Sequence, residues 1–186
     1  MTLIRQQTVF AGRVIKLNIE TVRLPNAHVL ELEIVHHPGG AATVALDERN
    51  RVCLLHQFRH AAGGWIWELP AGKLEPGEAP LLTAQRELVE EAGVRAASWT
   101  SLGSYVTSPG VFTETVHLFL AHDLQSTTMR HEPGESIEIH WVDFDEACHR
   151  AITGGISDGK TALGLLRAQA VNLRPGTEMH ESQSHQ

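Results

Sequence analysis

Three glutamates, Glu87, Glu90 and Glu91, fall in the second half of a helix that the sequence predicts over residues 80–92. Gly93 is the expected end of this helix, because glycine readily adopts the left-handed conformation that terminates helices. The carboxyl end of a helix carries partial negative charge and favours a cation over a glutamate by roughly 0.3–1 kcal/mol. Positions i, i+3 and i+4 share one face, so the three carboxylates also repel one another. A helix that keeps such a face despite its cost is expected to form a functional site there.

Grouped carboxylates offer the oxygen ligands that Mg²⁺ and Mn²⁺ prefer. Mg²⁺ usually retains several waters while it joins a few protein carboxylates to the phosphates of a substrate. A solvated acidic surface is the alternative for an arbitrary glutamate cluster. Here a loop rich in glycine and proline precedes the helix, and Arg86 is the one nearby countercharge in the sequence. The pattern therefore predicts a site for a divalent metal and a diphosphate.

Composition limits the number of domains and the class of partner. The chain has 186 residues, of which 42% are hydrophobic, enough for one domain with a sizeable core. Its net charge of −7 argues against general binding to nucleic acid or to an anionic membrane. The sequence shows neither a long apolar segment nor a secretory signal, and Cys53 and Cys148 lack metal-type spacing. We therefore expect a cytoplasmic protein whose thiols are reduced and packed.

Alternating apolar and polar residues predict several strands separated by turns. The expected strands are, in chain order, residues 13–23 and 28–35 as a hairpin, 41–47 and 52–58 as a second and more central hairpin, then 65–69, 100–108, 113–124 and 135–144. Helices are expected at residues 80–92, 144–155 and 158–171. This order predicts an α+β fold in which a mostly antiparallel or mixed sheet packs against helices.

The segment from Gly72 through Glu78 to the run Arg86-Glu87-Leu88-Val89-Glu90-Glu91-Ala92-Gly93-Val94 resembles a complete Nudix box. The resemblance implies the Nudix fold, with a mixed β-sheet sandwiched between helices and an N-terminal antiparallel hairpin. It also implies a loop–helix–loop that holds two to three Mg²⁺ or Mn²⁺ ions. The metal ligands that the resemblance implies are Glu87, Glu90, Glu91 and the carbonyl of Ala71. Arg86 would orient the glutamates through salt bridges, and Glu78 would help to fix the loop.

Residues outside the box point to a subfamily. The run LHQFRHAAGGWIWELPAGKLEPGE, and Pro109 fifteen residues after Val94, resemble the ADP-ribose pyrophosphatases of this family. We therefore expect hydrolysis of a nucleoside diphosphate sugar, ADP-ribose first, to AMP and ribose 5-phosphate. GDP-mannose or another nucleotide sugar is the alternative, and removal of oxidised nucleotides is a further one. A module that only senses ADP-ribose is disfavoured, because all the box glutamates are present.

Family comparison also suggests the group that activates water. It points to a glutamate in the loop before the last strand, which corresponds here to Glu135, with Glu132 as the alternative. For either glutamate, plain solvation in a polar loop is the competing interpretation.

Five residues are candidates for substrate binding. Arg59 could clamp a phosphate with its guanidinium fork, or form a surface ion pair. Glu68 could accept hydrogen bonds from a base or ribose, or be a buried carboxylate at a strand end. Trp65 and Trp67 are expected to point in different directions, so that one could stack on a nucleobase while the other packs inward. Glu114 aligns with a family glutamate near the site.

The resemblance further implies a homodimer that exchanges N-terminal strands. An isolated hairpin at residues 13–35 would otherwise leave an open edge. We accordingly divide the chain into N-terminal strands at residues 1–40, a Nudix domain at 41–171 and a disordered tail at 172–186, which has almost no apolar residue.

Overall fold

The structure, a computed structural model, describes residues 1–128 and 136–172. Within these ranges the strands are β1 (Thr2–Ala11), β2 (Lys16–Arg23), β3 (Val29–His36), β4 (Gly40–Ala45), β5 (Arg51–Arg59), β6 (Gly64–Glu68), β7 (Ala71–Lys73), β8 (Val94–Val106), β9 (Thr115–Ser126) and β10 (Ile137–Asp143). The helices are α1 (Pro80–Ala92), α2 (Phe144–Ile152) and α3 (Gly159–Asn172), and His60–Ala62 forms a 3₁₀ turn.

The described strands form three sheets. Their orders are β1-β2-β3, β10-β5-β6 and β7-β4-β9-β8. In the four-stranded sheet β4 is parallel to β9, while β4 with β7 and β8 with β9 are antiparallel, so this sheet is mixed. The prediction of an α+β fold built on a mixed sheet is confirmed.

Strand β4 lies at the centre of the core, and all six of its residues are buried. Successive residues of a strand face opposite sides of the sheet. Val44 packs in one apolar cluster with Leu165 of α3, whereas Ala45 packs in a second cluster with Leu88 of α1. Helices therefore cover both faces of the mixed sheet, as the resemblance implied.

The predicted hairpin of residues 41–47 and 52–58 is wrong. Both segments are strands, but β4 pairs with β7 and β9, whereas β5 pairs with β6 and β10. A single bridge between Leu46 and Val52 joins them at the turn. An apolar pattern indicates burial but does not identify the partner, and here the two strands separate into two sheets.

The N-terminal sheet contains the predicted hairpin as β2 and β3, together with β1, which the strand assignment missed. Strand β1 pairs antiparallel with β2. All ten of its residues are exposed, so it shows no inward-facing periodicity. The division of the chain at residue 40 stays a prediction, although this sheet ends at His36.

Both cysteines pack in the core, as expected. Cys53 and Cys148 are buried and free, and burial raises the pKa of the Cys53 thiol to about 12. No helix of the described segments combines the length and apolar character needed to cross a membrane. Asn172 is the last residue of α3, and the rest of the predicted tail lies outside the described residues.

Candidate active site

Helix α1 ends where the sequence predicts. Gly93 has φ of 63°, in the left-handed region, and its amide donates to the carbonyl of Val89 at 3.1 Å. The last turn contains no basic residue. Glu90 and Glu91 therefore lie at the negative end of the helix dipole without a local cation from that turn.

Arg86 supplies the countercharge from one turn earlier. Its Nη1 donates to Glu87 Oε1 at 2.7 Å and to Glu90 Oε2 at 3.1 Å. Its Nη2 donates to the carbonyl of Lys73 at 3.2 Å, which ties α1 to β7. The orienting role that the resemblance implied for Arg86 thus has a direct geometric basis, because one guanidinium holds two carboxylates and the preceding strand.

The same guanidinium holds Glu78. Arg86 Nε and Nη2 donate to the two carboxylate oxygens of Glu78, each at 3.1 Å. Glu78 also accepts from the Thr83 hydroxyl at 2.8 Å and from the Glu75 amide at 3.1 Å. Hydrogen bonding from Arg86 lowers the pKa of Glu78 from 4.5 to about 2. Glu78 therefore joins the loop to the first turns of α1.

Gly72 and Ala71 lie directly against the carboxylates of α1. A methyl group at Gly72 would overlap the carboxylate of Glu87, so glycine leaves room for that carboxylate in its observed position. The amide of Ala71 donates to Glu91 Oε2 at 2.8 Å, and Glu91 is 4% exposed. The spacing between Gly72 and the glutamates of α1 is therefore explained by two contacts. Gly72 leaves space for Glu87, and the neighbouring Ala71 amide binds Glu91.

A cleft of about 880 Å³ opens beside this face. Its lining includes, from α1, Arg86, Glu87, Glu90 and Glu91; from β7, Ala71, Gly72 and Lys73; and from other parts of the chain, Arg59, Tyr105, Glu114, Asp158 and Lys160. The cleft thus combines a carboxylate face with several cations, a combination suited to a metal-bound diphosphate.

The donors on this face fit a hard divalent cation. Carboxylate and carbonyl oxygens are the ligands that such cations prefer. Within residues 1–128 and 136–172, no group of three or more His, Cys, Asp or Glu side chains is arranged to hold a metal ion by itself. A cation that retains waters and also binds substrate phosphates does not need a closed protein cage.

Arg59 lines the cleft, but Glu68 lies behind it. Arg59 Nε donates to Glu68 Oε2 at 2.7 Å, and 42% of the Arg59 side chain is exposed. The Glu68 side chain is 4% exposed, and its other oxygen accepts from the ammonium of Lys160. The structure therefore places Glu68 as the buried partner of two cations, the second of the two interpretations that the sequence left open.

Trp65 and Trp67 lie away from the cleft lining. The expectation that they point in different directions is wrong, because residues i and i+2 of a strand share a face. Both rings contact His56, with ring centroids 5.1 and 4.7 Å away. Trp67 also packs against the core and beneath the guanidinium of Arg150. Within this chain, their contacts are with protein side chains, on the face of β5 and β6 that carries His56.

Glu114 lies in the cleft, where its Oε1 is 3.2 Å from His37 Nδ1. The structure thus brings this weaker candidate to the same cleft as the α1 glutamates. Glu132 and Glu135 lie outside the described residues. The assignment of Glu135, or alternatively Glu132, as general base stays a prediction.

Sequence reasoning missed Lys160, Asp158 and Tyr105. Lys160 Nζ donates to Asp158 Oδ2 at 3.0 Å and also pairs with Glu68. Burial, together with the charges of Asp158 and Glu114, raises the pKa of Tyr105 to about 12, so its phenol remains protonated at neutral pH. The Asp158–Lys160 run was predicted only as a helix start. The sequence did not indicate the contact of Lys160 with Glu68, because the two residues lie far apart along the chain.

The lowered pKa of Glu78 predicts a pH-dependent contribution to stability. Its folded pKa of about 2 lies below the 4.5 of a solvent-exposed glutamate without partners. The stabilisation is therefore complete above pH 4.5 and is lost as the pH falls towards 2. We expect Glu78→Gln to lower the free energy of unfolding more at pH 7 than at pH 3. Denaturant unfolding at both pH values measures this, and an equal loss at both would contradict the ionic role.

Comparison with known proteins agrees with this geometry. The model of the NUDIX domain matches residues 36–161. The chain is 38% identical over 164 residues to the ADP-ribose pyrophosphatase of Bacillus subtilis (strain 168), covering 87% of this chain and 89% of that protein. It is 35% identical to the ADP-ribose pyrophosphatase of Mycobacterium tuberculosis (strain ATCC 25618 / H37Rv), covering 90% and 83%.

A third relative is the GDP-mannose pyrophosphatase of Cronobacter sakazakii (strain ATCC BAA-894), which is 33% identical over 148 residues, covering 74% of this chain and 76% of that protein. The family model spans the site from β3 to the start of α3, including the whole segment from Gly72 to Val94. The resemblance found in the sequence is confirmed, and the chain belongs to the Nudix family.

Proposed function

We propose that this protein hydrolyses the diphosphate bond of a nucleoside diphosphate sugar, with ADP-ribose as its main substrate. The observation that carries the proposal is the cleft in which the carboxylates of α1 occur together with Arg59 and Lys160. Identity to two ADP-ribose pyrophosphatases, at 38% and 35%, is higher than identity to the GDP-mannose pyrophosphatase of Cronobacter sakazakii, at 33%. GDP-mannose is therefore the alternative substrate.

The proposed reaction adds one water across the anhydride. A bond forms between the water oxygen and one phosphorus, and the bond from that phosphorus to the bridging oxygen breaks. One proton of the water passes to a general base, for which Glu135 is the candidate and Glu132 the alternative. The leaving phosphate departs with the bridging oxygen. With ADP-ribose the products are AMP and ribose 5-phosphate. The chain must therefore hold the diphosphate, offset its charge and orient the water.

The residues that would hold the metal are Glu87, Glu90, Glu91 and the carbonyl of Ala71, with two to three Mg²⁺ or Mn²⁺ ions. When bound, these ions would supply charge neutralisation and a water of lowered pKa. Arg86 keeps the carboxylates on one face through its bonds to Glu87 and Glu90.

Two cations would bind phosphate oxygens directly. Arg59 has three guanidinium nitrogens but uses its Nε for Glu68, which leaves its outer fork for a bidentate contact with phosphate. Lys160 is held by Glu68 and Asp158 at the cleft wall. Both cations are already held by Glu68 before the substrate binds. Their side chains therefore lose less conformational entropy on binding.

A panel of nucleotide sugars tests the substrate. We expect the highest kcat/KM for ADP-ribose among ADP-ribose, GDP-mannose, ADP-glucose and NADH, measured with Mg²⁺ and separately with Mn²⁺. The products should be AMP and ribose 5-phosphate in equal amounts. A higher kcat/KM for GDP-mannose would establish the alternative, and a preference for NADH would contradict the nucleotide-sugar proposal.

Removal of one carboxylate tests the metal face. Glu90→Gln keeps the size of the side chain but removes its charge, and we expect kcat to fall by at least about a hundredfold because a metal ligand stabilises charge in the transition state. Glu48→Gln, the same change in the turn between β4 and β5, should leave the rate unaltered. Equal rates for the wild type and Glu90→Gln would remove the α1 face from the mechanism.

We also propose that the protein is a homodimer in which N-terminal strands are exchanged. Every residue of β1 is exposed, and its apolar side chains Leu3, Ile4, Val9 and Phe10 are 50–55% exposed. A second copy would cover this apolar surface and the free edge of β1. Self-association would therefore bury apolar surface that a single chain leaves exposed.

Sedimentation measures the oligomeric state. We expect a particle of twice the chain mass of 20.4 kDa at micromolar concentration, and we expect Phe10→Asp to weaken association. Ile152→Asp places the same charge on an apolar residue that is 66% exposed at the end of α2 and should leave the dimer intact. A wild-type monomer at these concentrations would contradict the proposal.

A further inference from the structure

The segment Glu68–Ala71, called here the anchored segment, leads from β6 into β7 and reaches the carboxylates of α1. The amide of Leu69 donates to the hydroxyl of Thr161 at 2.8 Å. That hydroxyl donates in turn to Asp158 Oδ2 at 2.6 Å, and the same oxygen accepts from the Thr161 amide at 3.0 Å. Asp158 therefore caps the first turn of α3, and Thr161 joins this cap to the anchored segment.

Two other elements hold the following residues of the anchored segment. The carbonyl of Pro70 accepts from the amide of Thr43 on β4 at 2.9 Å. The amide of Ala71 donates to Glu91 on α1 at 2.8 Å. The proline ring fixes φ of Pro70 between these contacts, which removes one of the rotations that could absorb a displacement of Leu69 before it reaches Ala71.

Close packing of α3 supports the same contact. Gly164 lies one turn after Thr161, on the same helical face. A methyl group at Gly164 would lie 2.7 Å from Leu69 Cδ1 and 3.3 Å from a methyl carbon of Val44. Glycine thus lets α3 approach the anchored segment closely enough for the Thr161 hydroxyl to reach the Leu69 amide.

We propose that Thr161 is a positioning residue for the metal site, acting through the anchored segment on Ala71 and Glu91. Thr161 has no exposed surface, so loss of its hydroxyl would leave the Leu69 amide without this partner in a dry environment. Relaxation of the segment would move Ala71 relative to Glu91. The inference rests on the proposed metal role of these two residues, and its expected consequence is weaker binding of the cation.

The test measures Mn²⁺ binding to the full chain, without substrate, from the loss of the free-Mn²⁺ electron paramagnetic resonance signal. Thr161→Val keeps the shape of the side chain but removes the hydroxyl, and we expect its Kd for Mn²⁺ to rise about tenfold, the lower end of the range for residues that support metal ligands. Thr161→Ser keeps the hydroxyl and should bind Mn²⁺ like the wild type. In activity assays the Mn²⁺ concentration for half-maximal rate should rise with the Kd, while excess Mn²⁺ restores most of kcat.

Cys148→Ala controls for a general loss of stability. Cys148 is buried in α2 and its thiol contacts the carbonyl of Leu165 on α3, so this variant weakens the contact between α2 and α3 but leaves the bond between Thr161 and Leu69 intact. It should lower the melting temperature without changing the Kd for Mn²⁺. Unchanged Mn²⁺ affinity in Thr161→Val, or an equal loss of affinity in Cys148→Ala, would overturn the proposal.

Two further variants keep the test decisive. If Thr161→Val does not fold, Gly164→Ala serves instead, because it retains the hydroxyl but pushes α3 away from Leu69. It should raise the Kd, and unchanged affinity would overturn the proposal. Glu90→Gln distinguishes a failure of the proposed metal site on α1 from a failure of the role proposed for Thr161. If it binds Mn²⁺ as tightly as the wild type, the metal face itself is wrong and the inference falls with it, whereas weaker binding there with unchanged Thr161→Val overturns only the inference.

Discussion

The site depends on one guanidinium. Arg86 donates to Glu78, Glu87 and Glu90 over 2.7–3.1 Å, which offsets the repulsion of carboxylates at the negative end of α1. Arg86 also fixes the loop before the helix through Glu78, which in addition accepts hydrogen bonds from the Glu75 amide and the Thr83 hydroxyl. A helix end that electrostatics disfavours is thus kept in place, and its carboxylates line the wall of the cleft.

The rest of the cleft is assembled by tertiary packing around β4. Helix α1 covers one face of the mixed sheet and α3 covers the other, so the start of α3 reaches the end of β6. There Lys160 and Arg59 share the buried Glu68, and Thr161 holds Leu69. The carboxylate face of α1 and the cationic wall of the cleft are therefore connected by a short stretch of backbone that three different elements hold.

The sequence predicted local features well where a residue's role follows from its neighbours. The limits of α1, its termination at Gly93 and the shared face of its glutamates all follow from helical geometry. Pairing was predicted less well, because the apolar runs of β4 and β5 indicate burial but do not identify a partner. The error over Trp65 and Trp67 was of another kind, since strand periodicity already places residues i and i+2 on one face.

By itself, the sequence determined the family and the carboxylate face of α1, because the spacing from Gly72 to Val94 lies within one loop and one helix. The tertiary structure alone decided what surrounds that face. Glu68 became the partner of Arg59 and Lys160, and Glu114 joined the cleft beside His37. The physical reason is distance along the chain: helical periodicity fixes contacts over three or four residues, whereas Glu68 meets Lys160 and Thr161 only after the mixed sheet has packed between α1 and α3.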